Sequence, residues 1–378
     1  MMGFPAISAY FLAIQGLEFP SIEFPYLGTR GLVGIVMLIH IFFATLFVGY
    51  AIGSPLLQMW SVRTGNPRFE RLAHAIARFN VLTFSVGATW AVMFLVVLLG
   101  FYPRVTTALF THFFWFFPVI AMGAMAATLW LFYIHYYRAK NRARPLNIAA
   151  GFAAAFFIWV WMEILTGIDT FMVTGGGVAG RVVQGDTSVS NPGLALDSIF
   201  NPMWWTQILH RTFGNLSWPA FAVAAWAAFS YRRSKSAEDR AFYDWAGSVG
   251  VIWGTVFLLF QPLSGFFNVL FLKMAYRPEG LPGAASPYER ITGSGTGDDS
   301  FTSKMLLVNL GLVVLLFVLS NVAMYVGAKR HPERAGRRPI QVLGLVAAVA
   351  GLYSISPLAD FPFLYMRYIA MLVMMLAT

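Results

Sequence analysis

GLVGIVMLIHIFFATLFVGYAIGSPLLQMWS, Gly31 to Ser61, runs without one Asp, Glu, Lys or Arg. A helix that crosses a bilayer needs ~20 consecutive, mainly apolar residues. This stretch exceeds that length, and a soluble core helix would show a charged face instead. Comparable stretches follow near 79–102, 107–137, 146–174, 203–230, 243–272, 301–327 and 339–358. The composition agrees, because only 11% of the 378 residues are charged and 58% are hydrophobic. An all-α integral membrane protein of about eight transmembrane helices is predicted. The apolar tail from Pro362 to Thr378 is short and interrupted by Arg367, and Pro357 and Pro362 break the chain before it. It reads as a short ninth span, a tilted half-helix or a partner-facing segment.

The net charge of +10 does not indicate nucleic acid, because the basic residues gather in short connections between apolar runs. Arg63, Arg68, Arg71 and Arg78 occupy the first connection, and Arg138, Lys140, Arg142 and Arg144 the third. Arg232, Arg233, Lys235 and Arg240 occupy the fifth, and Lys329, Arg330, Arg334, Arg337 and Arg338 the seventh. The even connections are nearly neutral. Positive residues mark the cytoplasmic side, so the N-terminus is expected on the outer side of a bacterial-type inner membrane. Residues 1–30 lack a basic n-region and carry Glu18 and Glu23, which argues against a signal peptide. They read as an outer interfacial segment.

Two outer connections, 175–202 and 273–300, are rich in Gly, Pro, Ser, Thr and Asp and read as loops. Gly175-Gly176-Gly177-Val178-Ala179-Gly180 matches G-x-G-x-x-G but follows a transmembrane helix rather than a strand, so a nucleotide site is rejected. The absence of cysteine excludes disulfides, thiolate-held clusters and covalently attached c-type haem on this chain.

Six histidines remain. His74, His135 and His331 lie in or beside basic connections and read as solvated interfacial residues. His40, His112 and His210 lie inside spans 1, 3 and 5, at depths of about 14, 8 and 10 Å from the outer end at 1.5 Å per residue. A polar side chain in lipid needs a neighbouring helix or a metal to satisfy it. Three imidazoles at similar depth on separate helices favour ligation of a cofactor. Met305 opens span 7 at the same level, and its thioether is either packing or an axial haem ligand. Glu163 lies inside span 4, with Asp169 nearer the outer end. It is either a protonated acid bonded between helices, a proton relay or a group approaching a haem. Arg211 follows His210 and would pair with a haem propionate or with an outer-loop acid.

In this order the residues resemble subunit I of the cytochrome bd quinol oxidases. His40 with the following Gly49 resembles that family's first haem histidine. Thr64-Gly65 follows, and Gly87-Ala88-Thr89 is similar to the family's G-V-A-T-G stretch. Trp159 and Gly167 resemble its fourth helix. Asn201-Pro202 before His210 is similar to the approach to the low-spin haem b histidine, and Met305 falls where that site is completed. The resemblance covers residues 31–358 and implies a bd subunit I-like helix arrangement. It also implies haem b, more than one copy, and quinol as donor.

The departures are specific. Val119 to Tyr133 contains no acid where the family has span-3 glutamates at its oxygen-reducing haem pair. The family's G-R-Q-P-W signature is replaced by Ser354-Ile355-Ser356-Pro357-Leu358. The outer loop that holds the family's quinol site is short here, with Lys273, Arg277, Glu279, Glu289 and Arg290 as its polar candidates.

The expected function is a haem b-containing membrane subunit of a respiratory electron-transfer complex. His40 and His210 would ligate iron, with Met305 opposite His210. His112 would be either a further ligand or a hydrogen-bond partner. Other membrane subunits, a c-type cytochrome or another outer redox protein, and lipid are the expected partners. The alternatives are a bd-type quinol oxidase with a diverged oxygen site, with Glu163 in place of the missing glutamates, and a haem-free anchor or transporter. The chain then divides into the interfacial segment 1–30, a haem-binding helical domain 31–358 and the tail 359–378.

Overall fold

A computed structural model describes residues 24, 28–138, 144–174, 192–274, 300–330, 337–356 and 366–378. Every regular element among them is helical. In chain order these are α1 (Gly28–Thr64), α2 (Pro67–Phe101), α3 (Pro103–His112), α4 (Met122–Tyr133), α5 (Arg144–Thr174), α6 (Pro192–Ile199), α7 (Trp204–Arg233), α8 (Ala237–Met274), α9 (Ser300–Arg330), α10 (Arg337–Ile355) and α11 (Met366–Ala377). Wide π-helical turns, Trp115–Ala121 and Ile134–Arg138, flank α4.

Seven of the described helical stretches are long and apolar enough to cross a membrane. The eighth predicted span is the 30-residue α7, which carries Gln207, His210, Arg211 and Asn215 within its length.

The turn between α1 and α2 shows how the sequence sets the boundaries. Gly65 adopts φ +67°, a left-handed conformation that glycine enters at no steric cost. Asn66 then caps α2, its side-chain oxygen accepting from the Arg68 backbone N–H at 3.0 Å. Pro67 follows at the first helical position, where its missing N–H is no loss.

Span 3 departs from the single helix expected over 107–137. Pro118 has no N–H to give, and the chain answers with a π-helical segment at Trp115–Ala121. His112 therefore ends the separate helix α3 rather than lying within the span. The 175–202 connection also differs, because 192–199 form a helix. Its buried residues Leu194, Ala195, Ser198 and Ile199 bring it against α5. The approach is close enough that a Cβ on Gly167 would lie 2.9 Å from the Ile199 carbonyl oxygen.

The helices form two compact units. The first holds the described residues up to Trp204 together with Gly214–Thr255. One core cluster joins Leu46 and Tyr50 of α1, Leu72 and Ile76 of α2, Val223 and Ala227 of α7, and Phe242 and Ala246 of α8. Gly49 is required by the packing of α1. A Cβ there would run into the Asn215 carbonyl oxygen and the Pro219 ring. Small residues let membrane helices approach at backbone distance in this way.

The second unit comprises Trp205–Phe213 and Val256–Thr378. Its core gathers Val314 and Phe317 of α9, Ala347 of α10, and Met374 and Met375 of α11. The described helix α11 has twelve residues and is about 18 Å long. Arg367, which interrupts the apolar tail, donates to the Ser354 carbonyl at 2.6 Å and the Ser356 carbonyl at 3.3 Å. It satisfies carbonyls that the end of α10 would leave open.

Candidate functional site

Four of the histidines have described hydrogen-bond partners at their ring nitrogens. His40 Nδ1 lies 3.3 Å from the Gly87 carbonyl oxygen. A carbonyl only accepts, so Nδ1 is the protonated nitrogen and Nε2 keeps its lone pair. Gly87 can stand this close because it lacks a side chain. A Cβ there would lie 3.1 Å from Phe43 Cβ, one turn from His40. The imidazole lies parallel to the Phe94 ring, 6.3 Å between centroids.

His210, in the second unit, is arranged alike. Its Nδ1 lies 3.1 Å from Ser264 Oγ. The Ser264 hydroxyl hydrogen is directed to the Phe260 carbonyl at 2.9 Å, so the oxygen is left to accept from His210. Gln261 donates to the His210 backbone carbonyl at 2.9 Å. Gly265 opens room beside the ring, and a Cβ there would lie 3.5 Å from His210 Cε1. A further polar set lies one turn away, where Thr206 donates to Asn268 Oδ1 at 2.8 Å and Asn268 donates to Gln207.

At both His40 and His210, Nε2 makes no hydrogen bond among the described residues. A neutral imidazole with Nδ1–H held by a carbonyl or hydroxyl and Nε2 presenting its lone pair is the state that binds a metal. The two side chains therefore fit the role of axial haem ligand.

His112 and His135 are used differently. His112 is only 1% exposed, and its Nε2 lies 2.8 Å from Ser198 Oγ. Ser198 sends its own hydrogen to the Leu194 carbonyl, so His112 Nε2 is the donor. The ring is parallel to Phe171 and edge-on to Phe113. This bond ties α3 to α6.

His135 corrects the sequence reading. Instead of a solvated interfacial residue it is 1% exposed. Its Nδ1 donates to the Asn147 carbonyl at 2.9 Å, and Ser54 Oγ lies 2.8 Å from Nε2. Both nitrogens are satisfied within the protein. The burial arises because Gly151 allows α5 to close over the ring, a Cβ there lying 2.7 Å from His135 Nδ1. His74 agrees with its interfacial reading and lies 3.1 Å from Glu70, one turn away. His331 is outside the described residues.

Glu163 is buried in α5, 6% exposed, and its backbone carbonyl accepts from Trp204 Nε1 at 3.2 Å. Asp169 lies on the same helix, six residues further on. Arg211 is half-buried on α7 beside His210. Met305 lies in the first turns of α9, with its side chain outside the described residues, and the structure does not test its pairing with His210. Of the loop candidates, Lys273 lies at the end of α8 without a described side chain, and Arg277, Glu279, Glu289 and Arg290 fall outside the described residues.

Sequence reasoning missed the partners. Ser264, Gln261 and Ser198 are short polar residues in or beside apolar runs, and that anomaly is the signal that would have found them. Asn201 is another. Buried at the start of α7, it donates to Thr170 Oγ1 at 2.8 Å and to the Gly167 carbonyl at 3.2 Å. Among the described residues no group of three or more His, Cys, Asp or Glu side chains is arranged for a bare metal ion. A porphyrin supplies four nitrogens itself and asks the protein for axial ligands only.

No family model and no curated protein matches the sequence. Among solved structures, the bd oxidase from Geobacillus thermodenitrificans is similar over 92% of this chain and 83% of that one, with a TM-score of 0.55 and 14% identity. At that identity the likeness is one of fold. The chain is an all-α, multi-pass membrane protein whose helices are arranged as in a bd oxidase.

Proposed function

We propose that this chain is a haem b-containing membrane subunit of a respiratory electron-transfer complex. It passes electrons between membrane quinol and a partner on the outer face. The observation that carries this reading is the hydrogen-bond pattern at the histidine rings, from which the tautomers are inferred. His40 and His210 each hold Nδ1–H on a neighbouring helix and keep the Nε2 lone pair, whereas His112 and His135 spend Nε2 inside the protein.

On this reading His40 and His210 are the iron ligands, and Met305 completes the His210 site. Arg211 pairs with a propionate. Glu163, buried near the Trp204 indole, either holds a proton or approaches the cofactor. His112 takes the second of its two expected roles, as the hydrogen-bond partner of Ser198. Bound haem b supplies one-electron redox chemistry, with its potential set by axial ligands and the apolar shell. Other membrane subunits and a c-type cytochrome or similar redox protein are the partners. The basic connections support an inner-membrane location with the N-terminus outside.

The bd-oxidase-like fold supports a second reading, a quinol oxidase with a diverged oxygen site. The missing span-3 acids weigh against it. Oxygen uptake by the purified complex with a quinol donor separates the two, and the leading reading predicts none. A reduced-minus-oxidised spectrum tests both. Bands of b-type haem are expected, and a spectrum without them removes both readings.

A further inference from the structure

A groove of about 260 Å³ opens between α9 and α10 in the second unit, and its polarity changes along its length. The end away from the connection is apolar, lined by Phe317, Val318 and Ala348 together with buried Met374 of α11. Toward the charged connection that joins the two helices, Tyr325 and Gln341 enter the lining. Both are exposed, and both present hydrogen-bond donors at a level where lipid offers none. One further turn on, the same two faces carry Lys329, four residues after Tyr325, and Arg338, three residues before Gln341. Both cations are exposed. Gly344 keeps the middle open, since a Cβ there would already lie 3.4 Å from Asn321 Oδ1.

Cation, then uncharged donor, then hydrocarbon is the order of groups that a phospholipid needs: phosphate, ester oxygens, acyl chain. No acid lies on the described residues of α9 or α10, so a neutral lipid would leave the cations unmatched there, and a protein partner would not require this gradient. We infer that the α9–α10 groove is a binding site for one anionic phospholipid. Its phosphate lies between Lys329 and Arg338, its ester oxygens accept from Tyr325 and Gln341, and an acyl chain fills the apolar end. Basic pockets between membrane helices select anionic headgroups for this reason. The inference does not depend on haem.

Native mass spectrometry of the purified full-length protein tests it, with added phosphatidylglycerol or phosphatidylcholine of identical acyl chains. The wild type should retain phosphatidylglycerol about tenfold or more over phosphatidylcholine, as expected for two cations near a phosphate. Lys329→Gln with Arg338→Gln should equalise the two lipids. Lys329→Arg with Arg338→Lys, which keeps the charges, should preserve the preference and show that the fold survives changes there. Gly344→Leu should reduce retention of phosphatidylglycerol with both cations intact. Equal retention by the wild type, or an unchanged preference after both cations are removed, overturns the inference. So does displacement of the lipid by inorganic phosphate alone, or a protein chain crosslinked through position 341.

Discussion

Ser264 Oγ lies 3.1 Å from His210 Nδ1 and gives its own hydrogen to the Phe260 carbonyl one turn back. The serine thereby acts on the imidazole only as an acceptor. It fixes the proton on Nδ1 and turns the ring so that Nε2 carries the lone pair. Partners of this kind orient a ligand without touching the metal, and their loss typically costs 10–100-fold in metal affinity.

Ser264→Ala should accordingly leave the helices intact and weaken cofactor retention at the His210 site by roughly 10–100-fold. Haem content per chain after a wash with a competing apo-protein measures it. Ser264→Thr, which keeps the oxygen, should restore retention. Full retention in the alanine variant would show that the hydroxyl does not set the ring.

Met305→Ala tests the ligand opposite His210. A thioether raises the potential of a haem it ligates. Its loss should lower the midpoint of one b-type component in a redox titration, or convert that component to high spin. An unchanged titration would return Met305 to packing.

His135 and Gly151 form a structural pair. His135→Ala would remove the hydrogen bonds to the Asn147 carbonyl and with buried Ser54. Each is worth about 0.5–1.5 kcal/mol. Gly151→Val should be at least as damaging, because a Cβ already meets His135 Nδ1 at 2.7 Å and Pro55 Cβ at 2.8 Å. Thermal unfolding in detergent should fall in both variants. A His135→Ala protein of wild-type stability would contradict the assignment.

The spans were legible because a helix in lipid must be apolar over most of its length, and Gly31–Ser61 shows that without ambiguity. The turn at Gly65-Asn66-Pro67 was legible for local reasons, as each residue suits one backbone position. The fate of His135 was not legible. Its neighbour in sequence is a basic connection, but its neighbour in space is Gly151, and only helix packing brings the two together. The helix at 192–199 was hidden for a similar reason. Eight residues carry too little periodicity, and burial against α5 rather than propensity holds them. His40 and His210 stood out in the sequence as polar residues in apolar stretches, but sequence alone gave no means of separating them from His112. Depth was the same argument for all three, whereas the ring partners differ.

The decisive measurement is the reduced-minus-oxidised spectrum, with haem stoichiometry, of four variants of the purified protein: His40→Ala, His210→Ala, His112→Ala and His135→Ala. The first two should each lose a b-type component, and the last two should keep the full complement while losing stability. Haem retained in His40→Ala and His210→Ala, or lost selectively in His112→Ala, would contradict the assignment of Nε2 as the ligating nitrogen.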